Sequence, residues 1–302
     1  VLQSKNNATI PVFILHWNRP EECLKTVQYF LNQDLPLEIS VIDNASDPNQ
    51  LEILVKFLPS NVKLVKLQEN KGWGGGFNVV LSEWLTTESI LPYCFVSAHD
   101  AIPQDNCLQM LVDSMENDPQ LGIVCPEYGD GFLPKFSPLR CSYFIPINPP
   151  IPGTVEDIEI PHGTLTLYRK NCLAEIGLFD TRYFAYGDEY DLGLRARRYH
   201  WKIGMVWGAV VINPGSWTPS PLKHYLISRN SLLLAQVYGG WNQAMLRASF
   251  MFINSLRSLL FPSIFSIERS LIKPIFWARL QAIRDFLLGR YGFSRNIVKS
   301  KN

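Results

Sequence analysis

Three carboxylates fall within four positions at Asp188, Glu189 and Asp191, inside the stretch IGLFDTRYFAYGDEYDLGLRARR from Ile176 to Arg198. Like charges a few ångströms apart repel, so one such group acquires a raised pKa and is poised to take a proton, unless a cation joins them. The same residues admit a structural role. From Leu192 the chain reads as a short amphipathic helix, and acids at its start with Arg195, Arg197 and Arg198 further along complement its dipole. His99 and Asp100, directly after the apolar run YCFVSA, are a second candidate. They are either an ordinary strand-end pair or a hard-cation site, with the Asp oxygen as ligand and the His nitrogen acceptable to Mn²⁺. The glycine cluster NKGWGGGFN, Asn70 to Asn78, is a third. It is not a dinucleotide fingerprint, because the third glycine of GxGxxG falls at Phe77 and the cluster follows a third strand rather than a first. Glycines at this density still let a ligand approach the backbone, and the helix N-terminus that follows favours an anion such as a diphosphate.

These groups act together only if the fold gathers them, and the first hundred residues alternate strand and helix patterns. Pro11 to His16 is a buried-strand run; Glu21 to Leu31 has helical spacing after the Asn18, Arg19, Pro20 turn. Leu37 to Asp43 is a second strand ending in an acid, Asn49 to Phe57 a helix, Val62 to Leu67 a strand, and Phe77 to Trp84 a helix after the glycine turn. Tyr93 to Ala98 is a fourth strand. Such a run predicts a mostly parallel α/β sheet covered on both faces, whose ligands bind beyond the carboxyl ends of the strands. Asn18, Asp43 and Asp100 fall at or just past those ends. The segment Glu127 to Glu159, rich in proline, glycine and aromatic residues, reads as an irregular excursion. Ile160 to Tyr168 and Lys202 to Ile212 resume strands, a helix starts at Lys170, and the chain beyond Ser220 is helical.

A chain of 302 residues, 47% hydrophobic and 18% charged, can bury a full core, which excludes a disordered chain. The net charge of +1 hides an asymmetry. Residues 243–302 carry ten Lys and Arg against two acids, a net +8, and the remainder is −7. The six cysteines form no CxxC pair and stand near no zinc-finger histidines, so they read as reduced thiols of a cytoplasmic protein. No signal-peptide pattern is expected, and no apolar run approaches the roughly 18 residues of a membrane span.

Taken in order, the motifs resemble the family 2 glycosyltransferases of the GT-A fold, particularly bacterial rhamnosyltransferase-like and galactofuranosyltransferase-like members, from about Pro11 to Leu234. HWNRP at His16 to Pro20 matches the family's first strand and N-R loop. VIDNASD at Val41 to Asp47 matches its V-D-N-x-S segment. Asn70, Gly72, Gly76 and Asn78 match its N-x-G-x-x-x-G-x-N turn, and SAHDAIP at Ser97 to Pro103 resembles the H-D-D-A form of its metal site. The block from Gly177 to Arg195 matches its acceptor-side motif, and Arg229 with Asn230 its later R-N pair. The chain departs from the pattern at three points. Ala98 stands where a first metal acid would be, Glu189 stands at the position of the usual catalytic Asp, and Asn213 and Pro214 stand where a ligating His is often found, His224 being the nearest substitute.

The resemblance implies an inverting transfer from a UDP- or dTDP-sugar to a hydroxyl of a glycan or lipid-linked oligosaccharide in bacterial surface polysaccharide synthesis. It implies Glu189, or failing that Asp188, as base, with Asp191 orienting the helix or the acceptor. Mg²⁺ or Mn²⁺ is expected on Asp100, and a sugar-donor site at His16, Asn18, Arg19, Asp43, Asn44, Asn70, Gly72, Trp73, Gly76, Asn78 and His99. Asp43 is expected to read the nucleotide base. Trp217, Tyr186 and Arg229 are expected on the acceptor side, and Trp73, Phe184, Tyr186 and Trp217 could stack on sugar faces. No nucleic acid is an expected partner. The alternative is a non-catalytic carbohydrate- or nucleotide-binding protein on the same scaffold. Domains are expected at 1–240, catalytic, and 241–302, a basic amphipathic helical extension. That extension either packs on the catalytic domain or a second copy, or lies on anionic lipid at the cytoplasmic face of the membrane.

Overall fold

The computed structural model describes residues 9–88, 91–148, 150–215, 218–261 and 268–292. Ile10–His16 (β1) buries six of its seven residues, as a strand covered on both faces must. It pairs in parallel with Leu37–Asp43 (β2) and Tyr93–Ala98 (β4), and β2 pairs in parallel with Lys63–Lys66 (β3). Helices Pro20–Leu31 (α1), Pro48–Phe57 (α2) and Gly72–Thr86 (α3) make the crossovers. Beyond β4 come Ile102–Pro103 (β5), the helix Cys107–Asn117 (α4) and the strand Leu121–Glu127 (β6).

The sheet runs β3-β2-β1-β4-β10-β6-β11-β5, with β10 Leu165–Arg169 and β11 Lys202–Ile212. Strand β10 is antiparallel to β4 and β6 on either side, while β6 and β11 are parallel, so the sheet is mixed, with most of its strands running in one direction. Period-two alternation sorts its side chains into two cores. Val12 and Ile14 face α1 and α4, whereas Phe13 and Leu15 face α3, the helix Lys170–Ile176 (α5) and the helix Asp188–Arg198 (α6).

The structure departs from the sequence expectation in three places. Helix α3 begins at Gly72 rather than Phe77, so the glycines lie inside it. A Cβ on Gly76 would stand 2.6 Å from Leu15 Cδ1, and this close helix–sheet approach outweighs glycine's poor helical propensity. The proline-rich excursion contains a two-stranded ribbon, Phe132–Ser137 (β7) with Cys141–Pro146 (β8), and a strand Val155–Asp157 (β9) paired antiparallel with β11. Prolines interrupt the alternation that would have disclosed them. Helix α6 begins at Asp188, four residues earlier than its apolar spacing indicates, so all three acids lie in its first turn.

Two compact units divide the chain. The first holds residues up to Lys135, Phe144–Asp180 and Glu189–Pro214, and with them the sheet. The second holds Phe136–Tyr143, Thr181–Asp188 and the chain from Gly215 onward. Its long helices are Ser220–Leu260 (α7), broken at Gly240 where φ is 80°, and Arg269–Leu287 (α8), which pack on each other. Among the described residues no helix is long and apolar enough to cross a membrane.

Candidate active site

The register His16↔Asp43 and Leu15↔Ala98 brings the ends of β2, β1 and β4 to one edge of the sheet. His16, fully buried, places Nδ1 3.0 Å from Asp43 Oδ1, and its Nε2 accepts the Arg19 N–H at 3.1 Å. The proton is therefore on Nδ1 and is donated to Asp43. Burial raises the Asp43 pKa, but hydrogen bonds from His16 and Ser46 outweigh it and hold the carboxyl below its ordinary value. The loops after β1 and β2 interlock through Asn18. Its N–H donates to Ser46 Oγ, its Nδ2 to Asp47 Oδ2, and its Oδ1 accepts from the Asp47 N–H. Asn18 and Ala45 both take positive φ there, 54° and 58°.

Most of the predicted polar residues of the glycine segment hold the protein itself. Asn44 Nδ2 donates to Asn70 Oδ1 and to the Gly72 carbonyl, and Asn44 Oδ1 accepts from the Lys71 N–H. Asn70 Oδ1 also accepts from the Gly72 N–H. Asn78 uses both ends of its amide on the backbone of Phe179, at 2.8 and 3.1 Å. Trp73 packs edge-on against Phe77 and touches both cores.

After β4, Thr26 Oγ1 of α1 donates within reach of the carbonyls of His99 and Ala101, which fixes the turn that carries Asp100. His99 Nδ1 donates to the Leu15 carbonyl at 3.2 Å, and its Nε2 is buried with no hydrogen-bond partner among the described residues. Burial lowers the His99 pKa, so Nε2 carries a lone pair. An orphaned imidazole nitrogen beside a buried carboxylate fits a divalent cation. No group of three or more His, Cys, Asp or Glu side chains gathers among the described residues. Such a cation would therefore be completed by water and an anionic ligand, as is usual for Mg²⁺ with phosphates.

The acids that open α6 have different surroundings. Asp188 is buried, Glu189 is partly exposed, and Asp191 is buried against Arg195, whose Nε donates to Asp191 Oδ2 at 2.8 Å. Arg195 also donates to the carbonyls of Ile176 and Leu178, so this ion pair clamps the end of α5. Gly163 lies beside Glu189, where a Cβ would be 3.5 Å from the Glu189 carboxyl carbon.

Tyr128, absent from the sequence expectation, connects the two acidic positions. Burial raises its pKa against the opposing hydrogen bond with Thr164, and the nearby carboxylates Glu189 and Asp100 add to that rise. The ring stacks on His162 at 4.2 Å, and the hydroxyl is 2.8 Å from Thr164 Oγ1, which also accepts from Asn213 Nδ2 at 2.7 Å. Its place one residue past the end of β6 marks it only once that strand is known.

In the second unit, Arg229 is fully buried and donates to the carbonyls of Gly292, Tyr183 and Arg182, while Asn230 Nδ2 donates to those of Tyr183, Ala185 and Tyr186. The R-N pair thus holds a strained loop, with Phe184 at φ 65° and Tyr186 at φ 67°. The Tyr186 hydroxyl donates to Thr218 Oγ1. His224 is half-buried, and burial, then Arg279 and Lys223, lower its pKa. Trp217 lies outside the described residues.

Residues 12–177 match the model of "Glycosyl transferase family 2", a match that ends before the acidic turn. A curated relative, N-acetylglucosaminyl-diphospho-decaprenol L-rhamnosyltransferase of Mycobacterium tuberculosis, is 24% identical over 259 residues, covering 76% of this chain and 84% of the relative. Among solved structures, GalNAc-T7 with UDP, GalNAc and Mn²⁺ superimposes with a TM-score of 0.65 at 14% identity over 94% of this chain, which spans 57% of that protein. The mannosyltransferase PcManGT of Pyrobaculum calidifontis, with GDP-Man and Mn²⁺, gives 0.61 at 13% identity, covering 94% of this chain and 88% of its own. S. aureus TarS 1-349 with UDP-GlcNAc gives 0.53 at 15% identity, covering 94% and 84%.

Proposed function

The chain belongs to glycosyl transferase family 2, and from that premise we propose an inverting transfer from a UDP- or dTDP-sugar to a hydroxyl of a glycan or lipid-linked oligosaccharide in bacterial surface polysaccharide synthesis. The observation that carries the proposal is the buried His99 Nε2, which has no hydrogen-bond partner among the described residues and stands next to the buried Asp100 just past the carboxyl end of β4. Asp100 follows β4 in the parallel part of the sheet, where such sheets bind ligands, and Glu189 lies in the first turn of α6.

Glu189 takes the proton of the acceptor hydroxyl as its oxygen bonds to the anomeric carbon. The bond from that carbon to the diphosphate breaks, and the nucleoside diphosphate leaves with the electron pair. A single displacement inverts the centre. Asp100 would hold Mg²⁺ or Mn²⁺, with His99 Nε2 suited to Mn²⁺, and such an ion would supply positive charge to a diphosphate leaving group. Asp43, Asn18 and Arg19 form the nucleoside end. Asn44, Asn70 and Asn78 position the glycine helix and the segment after α5, and Asp191 positions α6. The sugar nucleotides bound by PcManGT and TarS support a nucleotide-linked donor, and the curated relative's name supports a rhamnosyl donor and a lipid-linked acceptor.

The test is turnover from a panel of sugar nucleotides, chosen by thermal shift against UDP- and dTDP-sugars with Mn²⁺. Release of nucleoside diphosphate that requires an acceptor is expected. Activity that survives both chelation and Asp100→Ala would remove the metal assignment, and binding without turnover would remove the catalytic one.

A further inference from the structure

Helix α7 beyond Gly240 has its polarity reversed. The face packed inward carries small residues, Ala244, Ala248, Ser255 and Ser258, all buried. The two serine hydroxyls turn back onto their own helix, to the carbonyls of Met251 and Ser255. Large apolar residues face outward. Leu246, Phe250, Phe252, Ile253, Leu256 and Leu260 are each 39–61% exposed. Small residues between helices with large apolar ones outside is the pattern of helices whose surroundings are apolar, because close packing rather than hydrophobic burial joins them. On α8, Trp277 is 66% exposed and Lys273 and Arg284 are exposed as well. An exposed apolar surface of this extent marks an interaction site.

Charge identifies the occupant. From Gln243 to the end the chain has ten bases and two acids, and one of those acids, Asp285, is buried on the Tyr225 hydroxyl and paired with Arg284. A second copy would bring the same +8 against it, whereas an anionic lipid surface is complementary. Among the described residues no helix is long and apolar enough to cross a membrane, so the contact considered is an interfacial one. We propose that the outer face of α7 beyond Gly240, with the basic residues of α7 and α8, docks on an anionic membrane surface. This goes beyond the catalytic reading and does not depend on it.

The test is flotation of the full chain with vesicles of phosphatidylcholine alone or of phosphatidylcholine with phosphatidylglycerol, in the absence of substrates. Binding is expected on the anionic vesicles and is expected to weaken with salt. Each base near such a surface adds about fivefold to partitioning, so Arg257→Glu with Lys273→Glu should lower it by more than about tenfold. Phe250→Ser with Ile253→Ser should lower it comparably. All four residues are exposed, so circular dichroism and melting temperature should hold and separate lost docking from lost folding. Failure of the full chain to float on anionic vesicles overturns the proposal, as does partitioning unmoved by either double substitution. A dimer seen by light scattering that Phe250→Ser with Ile253→Ser dissociates, without vesicle binding, assigns the face to a second copy and overturns it as well.

Discussion

Among the three acids of α6, the environments separate the roles. Asp191 is neutralised by Arg195 and clamps α5, and Asp188 is buried, whereas Glu189 is partly exposed. Glu189→Gln should therefore lower kcat by about 10²–10⁴-fold. Affinity for the sugar nucleotide, measured by calorimetry, should change little, since the base meets the acceptor. If this variant and Asp188→Asn both keep turnover within a few-fold of the parent, the base lies elsewhere. Asp191→Asn should behave differently. Removing the charge that faces Arg195 weakens a charge-assisted hydrogen bond, worth about 1.5–3 kcal/mol. Urea unfolding should report that loss, and kcat should fall less than in Glu189→Gln.

Elements set how accurately those side chains are held. Gly193 lies on α6 between Asp191 and Arg195, and a Cβ there would come within 2.5 Å of the Pro161 ring. In an exposed helix Gly→Ala stabilises by about 1 kcal/mol. Here a rigid ring must move, and overpacking costs about 1–3 kcal/mol. Gly193→Ala should therefore lower the urea midpoint and also lower kcat, because α6 carries Glu189, and displacement by about 1 Å can cost a hundredfold. A midpoint that rises would show that the segment at Pro161 yields. The same balance of local preference against tertiary contact decides what was legible beforehand. Strands β1, β2 and β4 were legible because buried parallel strands are short apolar runs, and with them the placing of His16, Asp43 and Asp100 at or just past one edge of the sheet. The helical character of Gly72 to Gly76 was not, because glycine's propensity opposes it and only contact with Leu15 favours it. Asn44 and Asn78 read as ligand contacts, because an amide engaged with distant backbone looks the same in sequence as one engaged with a substrate. Tyr128 went unread, since its meaning depends on the approach of Glu189 from 61 positions away.

Across the whole molecule, stability depends on buried groups kept neutral. All six cysteines are free and buried, and burial pushes the thiols of Cys107, Cys125 and Cys172 up to about 12, so reductant should leave the urea midpoint unchanged. The histidines have the stronger consequence. Burial pushes His162 down to about 4, against an ordinary value of 6.5, and it acts on His99 and His224 in the same direction. In the unfolded chain these imidazoles take protons near pH 6.5, and in the folded chain His162 does so only near 4. The unfolded state therefore binds more protons between those limits. The stability associated with a neutral His162 is complete above about pH 6.5 and declines as the pH falls toward 4, by at most about 1.4 kcal/mol per pH unit for each such histidine. Asp43 extends the decline, since its lowered carboxyl pKa contributes stability that is lost below the ordinary value of 3.8. Urea midpoints should thus fall from neutral pH to about pH 5. The slope should be shallower in His162→Gln, which removes one titrating ring while His99 and His224 retain theirs. A midpoint that rises on acidification, or a slope unchanged by His162→Gln, would show that His162 accepts a proton in the folded protein and that its ring on Tyr128 is solvated.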